Sequence, residues 1–409
     1  MLGNLKSGWD IIVIGGGAAG FFAAINANML NPGLSILILE QTKDVLGKVR
    51  ISGGGRCNVT HHCFDAKMLT GYYPRGHKEL LGPFFAFGAM ETIEWFESRG
   101  IKLYTETDGC MFPVSNSSET IIRCFTEAAE KAGIEVITRA KVKDFMYSAD
   151  ETRPFSIFTE QGTMHSRMLL LATGASPFIW RMMESKGYSI VPPCPSLFTF
   201  NLPGHPITAL MGIVVENARV SLTGFPVVTD GPLLITHWGL SGPAVLKASA
   251  WGARFLFEKN YEAEALVDWI PTVKHEEILA LREKMARKKV VSNNCFNLPG
   301  RLWQFLTKSV LTDTEKNWAS LTKQEIADIV QHLKACSFPV KGKTTYKEEF
   351  VTAGGIDLSQ IHFKTFESKI HPGLFIAGEV LDIDAVTGGF NFQAAWTGGY
   401  LAARAMAKR

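Results

Sequence analysis

The segment RISGGGRCN, residues 50–58, places three glycines, Gly53, Gly54 and Gly55, directly before a guanidinium (Arg56), a thiol (Cys57) and an amide (Asn58). A glycine run gives up folding entropy, so it belongs where bare backbone must approach another group closely. Arg56 suits an anionic substrate or a phosphate, or else a structural ion pair. Cys57 suits a redox thiol or proton donor, or else a packed, inert side chain. Cys57, His61, His62 and Cys63 bring four soft ligands together, but tetrahedral sites draw on two separated pairs and no second pair answers elsewhere, so no metal is expected. His237, in THWGLSGPA with Ser241 and flanking glycines, is the candidate proton donor or acceptor; the alternative is a histidine bonded into a domain junction.

A second glycine pattern is more specific because of its context. Gly15-x-Gly17-x-x-Gly20 follows the apolar run Ile11–Ile14 and opens an Ala-rich helical pattern, 18–29. A second apolar run, LSILILEQ, carries Glu40 at its end, 20 residues beyond Gly20. Strand, glycine turn, helix, strand and acid form a dinucleotide-binding unit: the turn admits a pyrophosphate, the helix N-terminus offers free N–H groups, and Glu40 accepts ribose hydroxyls. A carboxylate at that position repels a 2′-phosphate, which argues against NADP.

NAD and FAD both fit this unit, and the far end of the chain decides between them. GLFIAGEVLDIDAVTGGFNFQAAWTGG reads as a strand, then Gly378-Glu379, then Gly388-Gly389 leading into a last helix. A late strand ending in Gly-acid suits the ribityl and pyrophosphate region of FAD. A helix N-terminus aimed at the flavin pyrimidine ring favours the anionic reduced form by on the order of 1 kcal/mol. LLLATGAS, with Thr173 and Gly174, supplies an intermediate strand whose turn passes the adenine side. A second G-x-G-x-x-G is missing, so any NAD(P)H donor is expected to visit only transiently.

These motifs need a scaffold, and the composition bounds it. The chain has 409 residues, 46% hydrophobic and 20% charged, with a formal net charge of +3. That is a globular balance of multidomain length, and it does not announce a nucleic-acid binder. No apolar run approaches the roughly 18 residues a membrane helix needs, and the start, MLGNLKSGWD, lacks a signal-peptide core, so a cytoplasmic protein with no membrane partner is expected. The seven cysteines are scattered without a C-x-x-C, as in free thiols of a reducing compartment, which also argues against a disulfide reductase.

Patterning gives an α/β fold with a doubly interrupted order. Residues 1–190 and 345–409 read as a Rossmann-like FAD-binding domain. Residues 191–271 and 337–344 read as a β-barrel-like substrate domain, and 272–336 as a helical insert within it. The proline-rich VPPCPS marks the first boundary, and RFLFEKNYEAEALVDW is read as β structure. The insert's run LREKMARKK is read as helix; its Arg282, Lys284, Arg287, Lys288 and Lys289 suit either nucleic-acid phosphates or a solvated face.

IIVIGGGAAG, GKVRISGGGRCNVT, THWGLSGPA, FVTAGGID and GEVLDIDAVTGGFNFQAAW together resemble the BaiN/RdsA family of NAD(P)/FAD-dependent oxidoreductases, and they span residues 11–398. The resemblance implies an FAD-binding Rossmann-like domain interrupted by a β-barrel-like domain that carries the helical insert. It implies pyrophosphate at Gly15, Gly17 and Gly20, ribose at Glu40, and flavin along Lys48 and the loop Ser52–Asn58. Thr173 and Gly174 would flank the adenosine half; Gly378, Glu379, Gly389, Asn391 and Phe392 would hold the ribityl chain and pyrimidine edge. Val49-Arg50 departs from the more apolar pair expected after the lysine.

The leading functional reading is an FAD-dependent oxidoreductase that passes hydride through flavin N5 to a C=C or C=N bond of a small molecule. Two alternatives stand beside it. One is a dihydrouridine synthase acting on ribosomal RNA, with hydride to uracil C6 and a proton to C5. The other is a non-enzymatic FAD-binding redox sensor.

Overall fold

The computed structural model describes residues 8–344 and 351–409. The chain divides into two compact units, Met1–Cys194 with Lys347–Arg409, and Pro195–Tyr346. The return boundary expected at residue 345 lies outside the described residues.

In the first unit the apolar run becomes strand β1 (Gly8–Ile14), with Ile11, Ile12 and Val13 fully buried. Burial on both faces is what a continuous apolar strand requires, and parallel neighbours provide it. β1 lies between β2 (Ile36–Leu39) and β4 (Gly162–Leu171), with Ile12 in register with Leu37 and Leu169. Beyond β2 comes β3 (Glu135–Ile137), and beyond β4 comes β5 (Leu374–Ile376), all parallel, in the order β5-β4-β1-β2-β3. Helix α1 (Ala18–Leu30) follows β1, and the last helix, α3 (Phe390–Met406), follows β5. Helix α2 (Gly47–Gly55) lies in the connection after β2.

Aromatic rings fill the space beneath α1 and α3. Phe22 meets Trp95, Trp396 and Phe87 with ring centroids 4.6, 5.3 and 5.5 Å apart. The indole N–H groups are satisfied as they go under, Trp95 donating to Asn26 Oδ1 at 3.0 Å and Trp396 to the Val59 carbonyl at 2.9 Å. A buried polar knot ties α3 to the short strand Thr60–His61 and the helix Ala89–Glu97. Gln393 Oε1 accepts from the hydroxyls of Thr60 (2.6 Å) and Thr92 (3.0 Å), and Gln393 Nε2 donates to Thr397 Oγ1 (3.1 Å).

The second unit is built on an antiparallel sheet in the order Cys336–Lys341, Glu262–Asp268, Val214–Leu222, Phe225–Ile235, Gly239–Ser241, Thr199–Asn201, Lys343–Thr344. Its inward residues and those of the helical insert share one core around Trp269, Trp303 and Trp318. The hydrogen-bonded path is open at its two ends among the described residues. Among these residues no helix is long and apolar enough to cross a membrane.

VPPCPS, read as the first boundary, lies on a strand, Ile190–Ser196, in the two-stranded ribbon with Val351–Ile356, where prolines are tolerated because an edge strand can spare the donors. Two local expectations are corrected. RFLFE is not a strand but a helix, Ala253–Glu258, because Ala253 and Leu256, three residues apart, are the pair that is buried. The insert's long helix is broken into His275–Leu279 and Leu281–Lys284. Beyond it the backbone bonds sideways instead, Val290 N–H to Lys316 O at 3.0 Å and Trp318 N–H to Lys288 O at 3.1 Å, so Arg287, Lys288 and Lys289 are not helical.

Gln393→Leu removes the only acceptor this network offers the buried Thr60 hydroxyl and weakens that of Thr92. It is expected to cost about 1–3 kcal/mol in urea unfolding followed by tryptophan fluorescence; a loss under about 0.5 kcal/mol would show the knot to be dispensable.

Candidate functional site

The carboxyl ends of the parallel strands are where a doubly wound sheet places its ligand, and the glycine motifs gather there. After β1 the chain turns at Gly15, and Gly17 stands at the N-cap of α1. No side chain caps α1 and no acid lies in its first turn, so its leading N–H groups are left for another acceptor. A Cβ placed on Gly17 would meet nothing within 4 Å, so this backbone faces open space. Glu40, at the end of β2, takes the Gly16 N–H at 2.9 Å and the Thr42 N–H at 2.8 Å. A cleft beside it is lined by Gly15, Leu39, Glu40, Ala140, Thr173 and Phe178. Apolar side chains interleaved with the polar groups of Glu40, Gln41, Thr173 and Ser176 suit a flat heterocycle attached to a ribose.

The glycine run is a helix that unwinds in its last turn. Within α2, Ser52 turns extended (ψ 146°), and Gly53 and Gly54 adopt left-handed conformations at φ 57° and 67°. Gly55 continues at φ 84°. Added Cβ atoms at Gly54 and Gly55 would meet nothing within 4 Å, so these residues present bare backbone outward. The turn is braced from behind. Arg56 Nε donates to the Gly53 carbonyl at 3.3 Å, its Nη1 pairs with Glu106 at 2.7 Å, and its guanidinium lies 3.9 Å from the Phe112 ring centroid. Arg56 is thus engaged by the Gly53 carbonyl, Glu106 and the Phe112 ring, with its side chain 37% exposed. Cys57 is fully buried at φ 63° and donates its N–H to the Ser52 carbonyl at 3.0 Å. Burial pushes its thiol up to about 12.

The third glycine turn ends at Gly389, the N-cap of α3, again without a side-chain cap or a first-turn acid. A Cβ on Gly389 would sit 2.6 Å from the Thr60 carbonyl and 2.7 Å from Asn58 Oδ1, so this turn is closed down onto the segment 58–60. Asn391 clasps the loop before it, its Oδ1 accepting from Ala385 N–H at 3.0 Å and its Nδ2 donating to Ala385 O at 3.2 Å. Phe392 stacks on Trp396 at 5.4 Å. Lys48 on α2 pairs with Glu379, whose other oxygen takes the Thr352 N–H at 3.0 Å. The departure at Val49-Arg50 is absorbed: Val49 is buried, while Arg50 points out to pair with Glu119.

The first unit thus brings Gly15, Gly17, Gly20, Glu40, Lys48, the 52–58 loop, Thr173, Gly174, Gly378, Glu379, Gly389, Asn391 and Phe392 to the strand ends and the turns that follow them. His237 belongs to the second unit, exposed on the turn between Phe225–Ile235 and Gly239–Ser241, with its ring 3.8 Å from that of Trp238. Two features escaped the sequence reading. Arg75 makes a two-pronged pair with the fully buried Asp384. An acid inside the apolar stretch GEVLDIDAV signals a partner, but nothing local says which cation supplies it. Phe390 stacks on Tyr72 at 4.2 Å and on His61 at 4.6 Å, and those two rings lie 5.5 Å apart, a three-ring cluster that the metal-like spacing of the histidines obscured.

The bare glycine faces and two uncapped helix starts fit a dinucleotide with an extended second half. The chain is 27% identical to a 3-dehydro-bile acid delta(4,6)-reductase of Clostridium scindens, over 97% of this chain and 98% of that protein. It is 28% identical to a ribosomal RNA dihydrouridine synthase of Haemophilus influenzae over the same two shares. Among solved structures, a 3-ketosteroid-delta4-(5alpha)-dehydrogenase of Rhodococcus jostii RHA1 shares the fold, with a TM-score of 0.53 at 15% identity, covering 100% of this chain and 99% of that one. The family described as HI0933-like protein Rossmann domain matches residues 9–405, and the chain belongs to it.

Proposed function

We propose that this oxidoreductase holds FAD across the strand ends of its first unit and reduces a C=C or C=N bond of a small unsaturated molecule. One observation carries the reading: two helix starts without side-chain caps, α1 and α3, each preceded by a glycine turn, with the bare backbone of Gly54 and Gly55 in the same unit. When bound, FAD supplies hydride at N5 and is recharged by a donor such as NAD(P)H, for which the chain has no second dinucleotide motif.

The residues then divide the work. Gly15, Gly17 and Gly20 let the α1 N–H groups reach the pyrophosphate, and Glu40 accepts from the ribose. Thr173 and Gly174 flank the adenosine. Lys48, Ser52, Gly53, Gly54, Gly55 and Asn58 run along the flavin. Gly378, Glu379, Gly389, Asn391 and Phe392 hold the ribityl and pyrimidine side, where the α3 N-terminus favours negative charge. Arg56 positions the glycine turn. A thiol held near 12 stays protonated at neutral pH, so Cys57 takes no thiolate step. His237 remains the proton donor in this reading. The steroid- and bile-acid-acting relatives support a C=C acceptor.

A second reading, reduction of a ribosomal RNA uridine, is favoured by the relatives named for that activity and by the basic turn of the insert. Anaerobic photoreduction of the flavin-loaded protein separates the two. Rapid reoxidation by a steroid-type enone supports the first, and reoxidation by unmodified ribosomal RNA, with dihydrouridine in the product, replaces it with the second. Indifference to both would leave a redox sensor.

Three substitutions or probes check the assignments. Gly17→Asp sets a carboxylate against the pyrophosphate and is expected to weaken FAD binding on the order of a hundredfold by flavin fluorescence titration. His237→Gln is expected to slow reoxidation by the acceptor roughly 100-fold or more while leaving FAD affinity unchanged; an unaltered rate would remove His237 from the chemistry. Below about pH 9 the native protein should leave Cys57 unalkylated by iodoacetamide in peptide mass spectra, since the thiolate forms only as pH approaches its raised value of about 12.

A further inference from the structure

The segment between β5 and α3 carries Glu379 and the Gly388-Gly389 turn, so whatever holds this segment sets where α3 begins. Its residues Val380, Leu381, Ile383, Ala385 and Val386 are apolar and buried. Asp384 stands among them, a carboxylate with no exposure, met by both prongs of the Arg75 guanidinium. Arg75 lies in the turn between the helices Ala66–Thr70 and His77–Ala86, and only 11% of its side chain is exposed. Both residues stand outside the set assigned to FAD.

Holding the two stretches together does not by itself require charges, because backbone and packing already join them. Val386 N–H donates to Tyr72 O at 3.0 Å, and the Tyr73 hydroxyl donates to the Phe390 carbonyl at 2.5 Å. A Cβ on Gly76 would lie 2.8 Å from Ile383 Cγ1. Arg75 and Asp384 also face each other in an antiparallel backbone bridge. A buried ion pair adds little net stability over apolar residues of similar volume, because desolvation offsets the attraction. Two parallel hydrogen bonds from a planar fork add direction instead, fixing rotation as well as distance. That direction is passed on. Asn391, in the first turn of α3, bonds both the N–H and the carbonyl of Ala385, the residue after Asp384. The path of the chain at Asp384 is thereby coupled to the start of the helix.

We infer that Arg75 and Asp384 are a positioning pair that fixes the direction of the α3 N-terminus, and through it the preference of the site for reduced over oxidised FAD. A helix N-terminus carries partial positive charge, so its aim decides how well it meets the negative charge that reduction adds to the flavin. The inference rests on the FAD reading and adds to it two residues that act through the helix start.

The test uses the whole FAD-loaded protein and an anaerobic reductive titration against a reference dye. The double variant Arg75→Met, Asp384→Leu removes the pair and leaves no unpaired buried charge. Its thermal unfolding is expected to stay near that of the wild type. Its binding of reduced relative to oxidised FAD is expected to weaken about tenfold, a fall of about 30 mV in the two-electron potential. Arg75→Lys keeps both charges but replaces the fork by a point contact, and an intermediate fall of about threefold, or roughly 14 mV, is expected. A pair that only stabilises the fold would change the unfolding temperature and leave the potential where it was. If both variants hold FAD at the wild-type potential, the inference is overturned and the FAD reading survives. If the double variant does not fold, Arg75→Lys decides in the same way. If the wild type binds no FAD, the reading and the inference fall together.

Discussion

The close approach of α1 to α3 sets the geometry on which the first unit depends. A Cβ on Gly399 would lie 2.9 Å from the Ala19 carbonyl and 3.3 Å from the Ala23 nitrogen, so the helices meet backbone to backbone at that point. Only glycine permits this spacing, and any larger residue would have to push the helices apart. The contact joins the first turns of α1 to the middle of α3, so the start of α1 is set against the body of the last helix.

The glycine run that ends α2 depends on different support. Left-handed conformations at Gly53, Gly54 and Gly55 are mobile in an isolated chain, and something must select one arrangement. Arg56 does so with a charged hydrogen bond to the Gly53 carbonyl, an ion pair to Glu106 and a ring face at Phe112. Cys57 completes the turn in a left-handed conformation that is uncommon for a residue with a side chain, and its complete burial offsets that strain. In this turn the guanidinium and the buried thiol-bearing residue brace the bare glycine backbone.

Much of this was legible from the sequence because the signals are local. Apolar runs at Ile11–Ile14 and in LSILILEQ, the spacing of Gly15, Gly17 and Gly20, and Glu40 after the second run each depend on a few neighbours, and the parallel order follows from alternating strands and helices. What was hidden is set by distant partners. Whether Arg56 meets a substrate or Glu106 depends on a hairpin 50 residues away. Arg75 and Asp384 are 309 residues apart. The RFLFE segment carries both a period-two and a helical pattern, and packing of Ala253 and Leu256 decides between them. The insert's charged run has good helix formers throughout, yet cross-links to 316–319 override that propensity.

The two acids of the site illustrate how such long-range pairing shapes chemistry. A carboxylate near an anionic cofactor is unfavourable unless its charge is compensated, yet Glu40 and Glu379 both sit at the strand ends. Glu40 is met by two backbone N–H groups and the Thr42 hydroxyl, all within 2.9 Å. Glu379 is met by Lys48 and the Thr352 N–H. The charge of each carboxylate is spread over fixed donors. The cation of the second pair comes from α2, the helix that unwinds into the glycine turn. The ion pair therefore ties the position of that turn to the strand–loop that carries Glu379.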